Sequence, residues 1–164
     1  MGQQAYNPLR VPMLDLIFRR ATEADVPAII RLLADDILGS SREATGADSY
    51  PQYLNAFRLV DADANQFLLV VDDGSEIVGT LQLTFIAGLA RGGLKRGLIE
   101  AVRVASDRRG GKIGEAMFSW VIEKCRRERC GIVQLTTDKA RSDAHRFYDR
   151  LGFEPSHIGY KMTL

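Results

Sequence analysis

A turn rich in glycine and basic residues joins a predicted strand to a predicted helix in the segment ASDRRGGKIG. Gly110 and Gly111 stand between Arg109 and Lys112 in this turn. Glycines let the backbone approach an anion closely, and the first N–H groups of a helix have no partner within the helix. The helix dipole adds favourable potential for negative charge at the same place. The turn therefore has the composition of a phosphate-binding site.

The spacing of these glycines argues against two common nucleotide sites. A P-loop requires GxxxxGK followed by Ser or Thr, and the dinucleotide-binding fingerprint requires GxGxxG. The segment matches neither pattern. Phosphoryl transfer is disfavoured for the same reason. Taken alone, the residues leave open a glycine loop that only connects a strand to a helix.

Glu100 is a second candidate for chemistry, because it interrupts the apolar run LIEAVRV. In a regular strand its side chain shares a face with Leu98, Val102 and Val104. Burial on that face would raise the pKa of the carboxyl group toward the range of a general base. The alternative is an exposed or ion-paired glutamate with no catalytic role.

The elements that position these residues follow from hydrophobic periodicity and turn signals. Thr22 and Asp25 have the spacing of a capping box ahead of an amphipathic helix. The alternation of elements predicts a mixed α/β chain with antiparallel strands first. In order, the sequence predicts strand 16–19, a helix from 22 to 37, a loop with a less regular helix in 38–64, hairpin strands 67–71 and 76–85, strand 98–104, helix 113–129, strand 132–137, helix 142–151, and strand material at 153 and 159–164.

Length and composition are typical of one globular domain, since the chain has 164 residues, of which 46% are hydrophobic. The polar segment 1–14 predicts an N-terminal arm, which leaves 15–164 as the domain. Lys and Arg number 22 against 21 acidic residues, so nothing in the overall charge favours nucleic acid or an anionic membrane as a partner. The N-terminal segment lacks the apolar core of a signal peptide or a membrane span, which predicts a cytoplasmic protein.

The glycine turn and the strand before it resemble the acetyl-CoA-binding motif of the GNAT superfamily of N-acetyltransferases, Q/R-x-x-G-x-G/A. Arg109 takes the first position and Gly114 the last, while Lys112 stands where the family has its middle glycine. The resemblance implies a bulged strand whose backbone amides hold the pantetheine arm, and a turn that holds the phosphates. The cofactor-binding residues that it implies are Val102, Arg103, Val104, Arg109, Gly110, Gly111, Lys112, Ile113 and Gly114.

A second match lies downstream in LTTDKARSDAHRFYDRLGFE, which resembles the C-terminal segment of the same family. Its shared residues are Ala144, Phe147, Tyr148, Leu151, Gly152 and Phe153. By this resemblance Tyr148 is the general acid that protonates the departing CoA thiolate, and its alternative is a packed helix tyrosine. Arg141 stands where the family often has Asn, and it is included among the cofactor contacts.

Together the two matches imply the GNAT acyl-CoA N-acyltransferase fold, an α/β single domain with a central, mostly antiparallel sheet flanked by helices. They imply transfer of an acetyl group from acetyl-CoA to the primary amine of a small molecule or peptide, without a metal, by direct attack through a tetrahedral intermediate. Glu100 is the candidate base, and N–H groups near Val102 are the candidate oxyanion donors. Whether the protein forms a homodimer is left open by the sequence. The alternative function is an acyl-CoA-binding sensor or regulatory module without turnover.

Overall fold

A six-stranded sheet forms the centre of the molecule. The structure is a computed structural model, and it describes residues 9–11, 15–35, 43 and 46–164. The strands lie in chain order from β1 to β6, and all neighbours are antiparallel except the parallel pair of β5 and β6. The predicted α/β class with a mixed, mostly antiparallel sheet is confirmed. The elements are β1 Leu9–Val11, β2 Leu16–Arg20, α1 Val26–Ala34, α2 Tyr50–Ala62, β3 Gln66–Asp72, β4 Ile77–Ile86, α3 Ala90–Gly93, β5 Arg96–Val104, α4 Ile113–Arg127, β6 Ile132–Leu135 and α5 Ser142–Arg150.

Alternating side chains place a separate apolar cluster on each face of the sheet. In β3, Phe67, Leu69 and Val71 point to the face that carries the larger cluster, while Leu68 and Val70 point to the other. Two helices meet each cluster: α4 and α5 on the first face, and α1 and α2 on the second. The chain therefore has the layered form, helices on both sides of one sheet, that such alternation predicts.

The start of α1 is fixed by a network around Asp25. Its carboxylate accepts hydrogen bonds from the backbone N–H of Thr22 at 2.7 Å and from the Thr22 hydroxyl at 2.9 Å. The same carboxylate binds the Arg19 guanidinium through two bonds of 2.7 and 2.8 Å. The predicted pairing of Thr22 with Asp25 is confirmed, and Arg19 ties the helix start to strand β2.

Several boundaries differ from the sequence prediction. Residues 9–11, which the sequence analysis placed in an arm, form strand β1 against β2. The segment expected to be a less regular helix contains the 13-residue helix α2. The strand predicted over 159–164 is absent, because residues 153–164 hold neither helix nor strand among the described residues. The predicted end of the first helix at residue 37 lies outside the described residues.

Candidate active site

Strand β5 carries a bulge at the position where the sequence analysis placed the pantetheine segment. Gln82 of β4 is paired with Glu100, but Thr80 is paired with Arg103, so two residues of β5 oppose one of β4. Ala101 occupies the bulge in a left-handed conformation with φ 52°. A non-glycine residue adopts this conformation at a cost of about 1 to 2 kcal/mol, so the surrounding sheet must hold it in place.

The bulge changes which side chains share a face. Val102 and Val104 pack against the same cluster as Ile99, whereas strict alternation would have put them on the opposite face. Glu100 stays on the face of its partner Gln82 and is exposed. The expectation that Glu100 shares a face with the two valines is therefore wrong, because the extra residue reverses the alternation beyond it.

A gap opens between β5 and β6 just beyond the bulge. The parallel pairing runs from Arg96 and Ile132 to Ile99 and Leu135, where β6 ends, while β5 continues to Val104. In the described part of the chain, this edge of residues 100–104 has no strand beside it. An edge of this kind can accept an extended ligand as an added strand.

The polar groups of Val104 face this gap. The N–H of Ala105 donates to the Val78 carbonyl of β4 at 2.9 Å. Because successive residues of a strand point their N–H groups to opposite edges, the N–H of Val104 points away from β4 and toward the gap. The carbonyl of Val104 accepts a bond from Arg109 Nε at 3.1 Å, and that of Val102 from Arg103 Nη1 at 2.9 Å. Arginine side chains thus satisfy both valine carbonyls.

The turn after β5 has the left-handed geometry that its glycines permit. Gly110 has φ 82°, and Lys112, immediately before α4, has φ 63° and ψ 5°. The resemblance aligns Lys112 with the family's middle glycine, and the left-handed backbone gives a physical reason for glycine there. Helix α4 begins at Ile113 without a side-chain cap, so its first N–H groups point out of the helix toward the turn.

Two arginines of the turn are engaged by neighbouring elements. Arg109 donates from Nη2 to the backbone carbonyl of Asp35 at 2.5 Å, and the Asp35 carboxylate accepts a bond from the Ser106 N–H at 2.7 Å. Arg108 lies 3.2 Å from Asp73 in the β3–β4 turn. The C-terminal end of α1 and the hairpin therefore hold the glycine turn in place.

Gly114 lies at a point of close packing between two helices. A Cβ atom added at Gly114 would lie 3.2 Å from Cζ of Phe147 on α5. That separation is tighter than ordinary van der Waals contact. The last glycine of the motif thus brings α5, and with it Tyr148, against the N-terminal turn of α4.

Tyr148 is half-buried in an aromatic cluster on α5. Its ring centroid lies 5.5 Å from those of Phe118 and Phe147 and 6.1 Å from that of Phe153. Burial raises the pKa of the Tyr148 hydroxyl, and the positive charges of Arg141 and Arg103 partly offset the rise. The structure therefore brings Tyr148 within electrostatic reach of the bulged strand and of Arg141, and it keeps the phenol protonated at neutral pH.

On the opposite face, a cavity of about 120 Å³ lies between α1, α2 and the sheet. Its floor includes Gln82 and Ala101, so it borders the bulge, and none of the described residues that line it carries a charge. Gln82 is held in place, because its Nε2 donates to Gln66 Oε1 at 2.6 Å. The lining residues are Val26, Ile29, Ile30, Leu33, Tyr53, Ala56, Phe57, Val60, Leu68, Thr80, Gln82 and Ala101.

The sequence analysis did not single out Gln82. Two acidic side chains also take part in contacts that it did not predict: the Asp35 carboxylate accepts a bond from the Ser106 N–H, and that of Glu43 accepts a 2.6 Å bond from the Tyr53 hydroxyl. A period-two pattern could have found Gln82, since it is a polar residue on the face of β4 that meets the helices. The link from Asp35 spans 71 residues, and no local pattern signals it.

The described segments contain no group of three or more His, Cys, Asp or Glu residues placed to hold a metal ion. Every helix in the described part of the chain is too short or too polar to cross a bilayer.

The bulged strand, the gap beside it and the glycine turn into α4 lie where the resemblance to the GNAT superfamily implies the acetyl-CoA site. The model of the acetyltransferase (GNAT) family matches residues 30–153. The chain belongs to this family, and it is an acyltransferase.

Individual relatives extend the comparison over nearly the whole chain. An aminoalkylphosphonate N-acetyltransferase of Salmonella typhimurium is 28% identical over 154 residues, which are 94% of each chain. A crystal structure described as a transcriptional regulator from Bacillus halodurans C-125 is 44% identical, with a TM-score of 0.88 over 91% of this chain and 99% of the other. A putative acetyltransferase from Agrobacterium tumefaciens, 24% identical, shares the fold with a TM-score of 0.77, over 90% of this chain and 99% of that one.

The left-handed backbone at Lys112 leads to a stability prediction. We expect Lys112→Gly to be more stable than Lys112→Ala by about 1 kcal/mol, because glycine relieves the strain at φ 63° and alanine does not. Both variants lack the charge of Lys112, so the pair isolates the backbone effect. Denaturant unfolding measures the difference, and equal stabilities would show that the turn is not left-handed in solution.

Proposed function

We propose that the chain transfers the acetyl group of acetyl-CoA to the primary amine of a small molecule, by direct attack of the amine on the thioester. The observation that carries this proposal is the gap between β5 and β6, which opens beyond Ile99 and leads to the glycine turn. Tyr148, Val102 and Val104 pack on the cluster on one face of the sheet, and the cavity beside Ala101 lies on the other face. The two substrates are therefore proposed to approach the gap from opposite faces.

The residues on the CoA side fit an extended chain that ends in phosphates. The backbone of Val102, Arg103 and Val104 offers the edge along which a pantetheine arm can pair as an added strand. Residues 109–114 supply glycines, a lysine and the first N–H groups of α4, which suit a pyrophosphate. Arg141, at the N-terminal end of α5, adds positive charge near Tyr148.

The chemistry of aminolysis assigns a role to Tyr148. The amine loses a proton, negative charge develops on the carbonyl oxygen, and the sulfur of CoA leaves as a thiolate that needs a proton. The Tyr148 hydroxyl is protonated at neutral pH, because the usual pKa of a phenol is about 10 and burial raises it further. It is therefore the group proposed to protonate the thiolate, and a backbone N–H near Val102 is proposed to bind the oxyanion.

The acceptor side indicates the class of amine. An uncharged, mostly apolar cavity of about 120 Å³ suits a short aliphatic portion of the acceptor. Glu100 is paired across the strands with Gln82, which lines this cavity, and its exposed carboxylate is the group proposed to meet the amine. The relative named as an aminoalkylphosphonate N-acetyltransferase makes short aminoalkylphosphonates the first acceptors to try.

Release of free CoA thiol in the presence of acetyl-CoA tests the proposed function. The panel contains aminoalkylphosphonates, simple alkylamines, polyamines, amino acids, aminoglycosides and lysine peptides. We expect at least one short-chain amine to give thiol release well above the rate of hydrolysis. Binding of CoA without release of thiol for any acceptor would instead favour a regulatory acyl-CoA-binding module. This alternative is retained because one similar structure is described as a transcriptional regulator.

Glu100→Gln tests the proposed base. The amide cannot take the proton of the amine, so we expect kcat at neutral pH to fall by about tenfold to a hundredfold. The loss should shrink at higher pH, where more of the amine is already neutral. Glu123→Gln, a change of the same kind on α4, is the control and should keep the wild-type profile. A Glu100→Gln profile that matches the wild type would assign proton removal to water or to another group.

A further inference from the structure

Asp35, which caps the C-terminal end of α1, makes two hydrogen bonds with the turn between β5 and α4. Its carboxylate accepts one from the backbone N–H of Ser106 at 2.7 Å, and its backbone carbonyl accepts one from Arg109 Nη2 at 2.5 Å. The same nitrogen of Arg109 lies 3.9 Å from the Asp35 carboxylate. Asp35 is itself fixed to the helix, because its N–H donates to the Arg31 carbonyl at 3.0 Å. The end of α1 therefore holds both ends of the segment 106–109.

The Arg109 side chain braces the same turn from a second direction. Its Nε donates to the Val104 carbonyl at the end of β5 at 3.1 Å, while its Nη2 donates to the Asp35 carbonyl. Two backbone carbonyls, one from each element, thus orient one guanidinium group. The Arg109 side chain is therefore a link between α1 and β5, and the groups of the turn that suit a phosphate are Lys112 and the N–H groups at the start of α4.

Asp35 also connects the two faces of the sheet on which the two substrates are proposed to bind. Helix α1 lines the cavity on one face through Ile29, Ile30 and Leu33. The turn that Asp35 holds leads into α4, which packs against the other face. Backbone N–H groups bind a phosphate most tightly when they already point to one place, because a turn that becomes ordered only on binding lowers the affinity by the cost of that ordering.

We propose that Asp35 is a positioning residue for acetyl-CoA, whose carboxylate holds the Ser106 N–H and so preforms the phosphate-binding turn at 109–114. This inference rests on the proposed use of acetyl-CoA at that turn. The charge of Asp35 gives the inference a definite sign, because a carboxylate near a phosphate site repels the ligand. Without a positioning role, removal of this charge would strengthen the binding of CoA. With a positioning role, loss of the hydrogen bond outweighs the loss of repulsion, and CoA binds more weakly.

Two replacements of Asp35 separate the hydrogen bond from the charge. Alanine removes both, whereas asparagine removes only the charge, because its side-chain oxygen can still accept the Ser106 N–H. We expect Asp35→Ala to raise the Kd for CoA by about tenfold, and Asp35→Asn to keep it within about threefold of the wild type or to lower it. Isothermal titration calorimetry with CoA on the full-length chain measures the three constants, and circular dichroism verifies that each variant is folded.

Asp107→Ala is the matched control, because Asp107 lies in the same turn and its exposed carboxylate is 3.6 Å from the neighbouring Arg108 side chain. This change also removes one negative charge, and it should leave the Kd for CoA unchanged or lower it. If Asp35→Ala bound CoA as tightly as the wild type, or more tightly, the inference would be overturned while acetyl transfer could still hold. Equal weakening in Asp35→Asn would also overturn it, since an acceptor oxygen would then not restore binding. A wild type that binds no CoA would instead overturn the proposed function on which the inference rests.

Discussion

Replacing Tyr148 with Phe is expected to lower kcat by about a hundredfold or more, while the KM for acetyl-CoA changes by less than about threefold. The ring of Tyr148 packs among Phe118, Phe147 and Phe153, and phenylalanine keeps those contacts. Only the hydroxyl is lost. A drop in kcat at constant KM is what removal of a proton donor produces, because the donor acts in the transition state and not in binding.

The pH dependence of the wild type gives an independent check on this role. Burial raises the pKa of Tyr148 above its usual value of 10, so the acid form should persist across pH 7 to 9. We therefore expect that deprotonation of Tyr148 lowers the activity only when the pH exceeds about 10. Tyr160→Phe, at an exposed position, is the control and should keep full activity. Full activity in Tyr148→Phe would end the assignment of Tyr148 as the acid.

The elements and the glycine turn could be predicted because their signals are local. The capping box at Thr22, the hairpin turn after Asp72 and the start of α4 at Ile113 lie where the sequence placed them. Lys112 shows how a mismatch to the family pattern can leave geometry intact. The backbone adopts the left-handed form that glycine favours, and the long side chain projects from an exposed position.

The bulge at Ala101 could not be read from the residues themselves. Alanine carries no sequence signal for a positive φ, and the conformation is imposed by the pairing of β5 with β4 before and after the bulge. The face of Glu100 was mispredicted for that reason. Residues 159–164 show a related limit. The alternation there predicts a strand, but a strand needs a neighbour, and the structure pairs none with this segment.

Replacing Asp25 with Ala is expected to destabilise the fold by about 2 to 3 kcal/mol, a fall in melting temperature of roughly 5 to 10 °C. The Asp25 side chain is only 10% exposed, and the change would remove the acceptor for Thr22 and leave the Arg19 guanidinium without this carboxylate. Since α1 forms one wall of the cavity beside the bulge, loosening its start should also raise the KM for the amine.

The contribution of Asp25 to the stability of the fold depends on pH in a definite direction. Burial alone would raise the pKa of Asp25, but hydrogen bonds from Arg19 and Thr22 outweigh it and hold the pKa below its usual range. A carboxylate with a lowered pKa stabilises the fold at neutral pH and loses that contribution as pH falls through its folded-state pKa. The stability difference between wild type and Asp25→Ala should therefore be full at pH 6 and shrink below about pH 4.

Asp61→Ala, which removes an exposed ion pair with Arg20, is the control and should cost at most about 1 kcal/mol. If both variants lost equal stability at pH 6, the network at the start of α1 would contribute no more than an exposed ion pair.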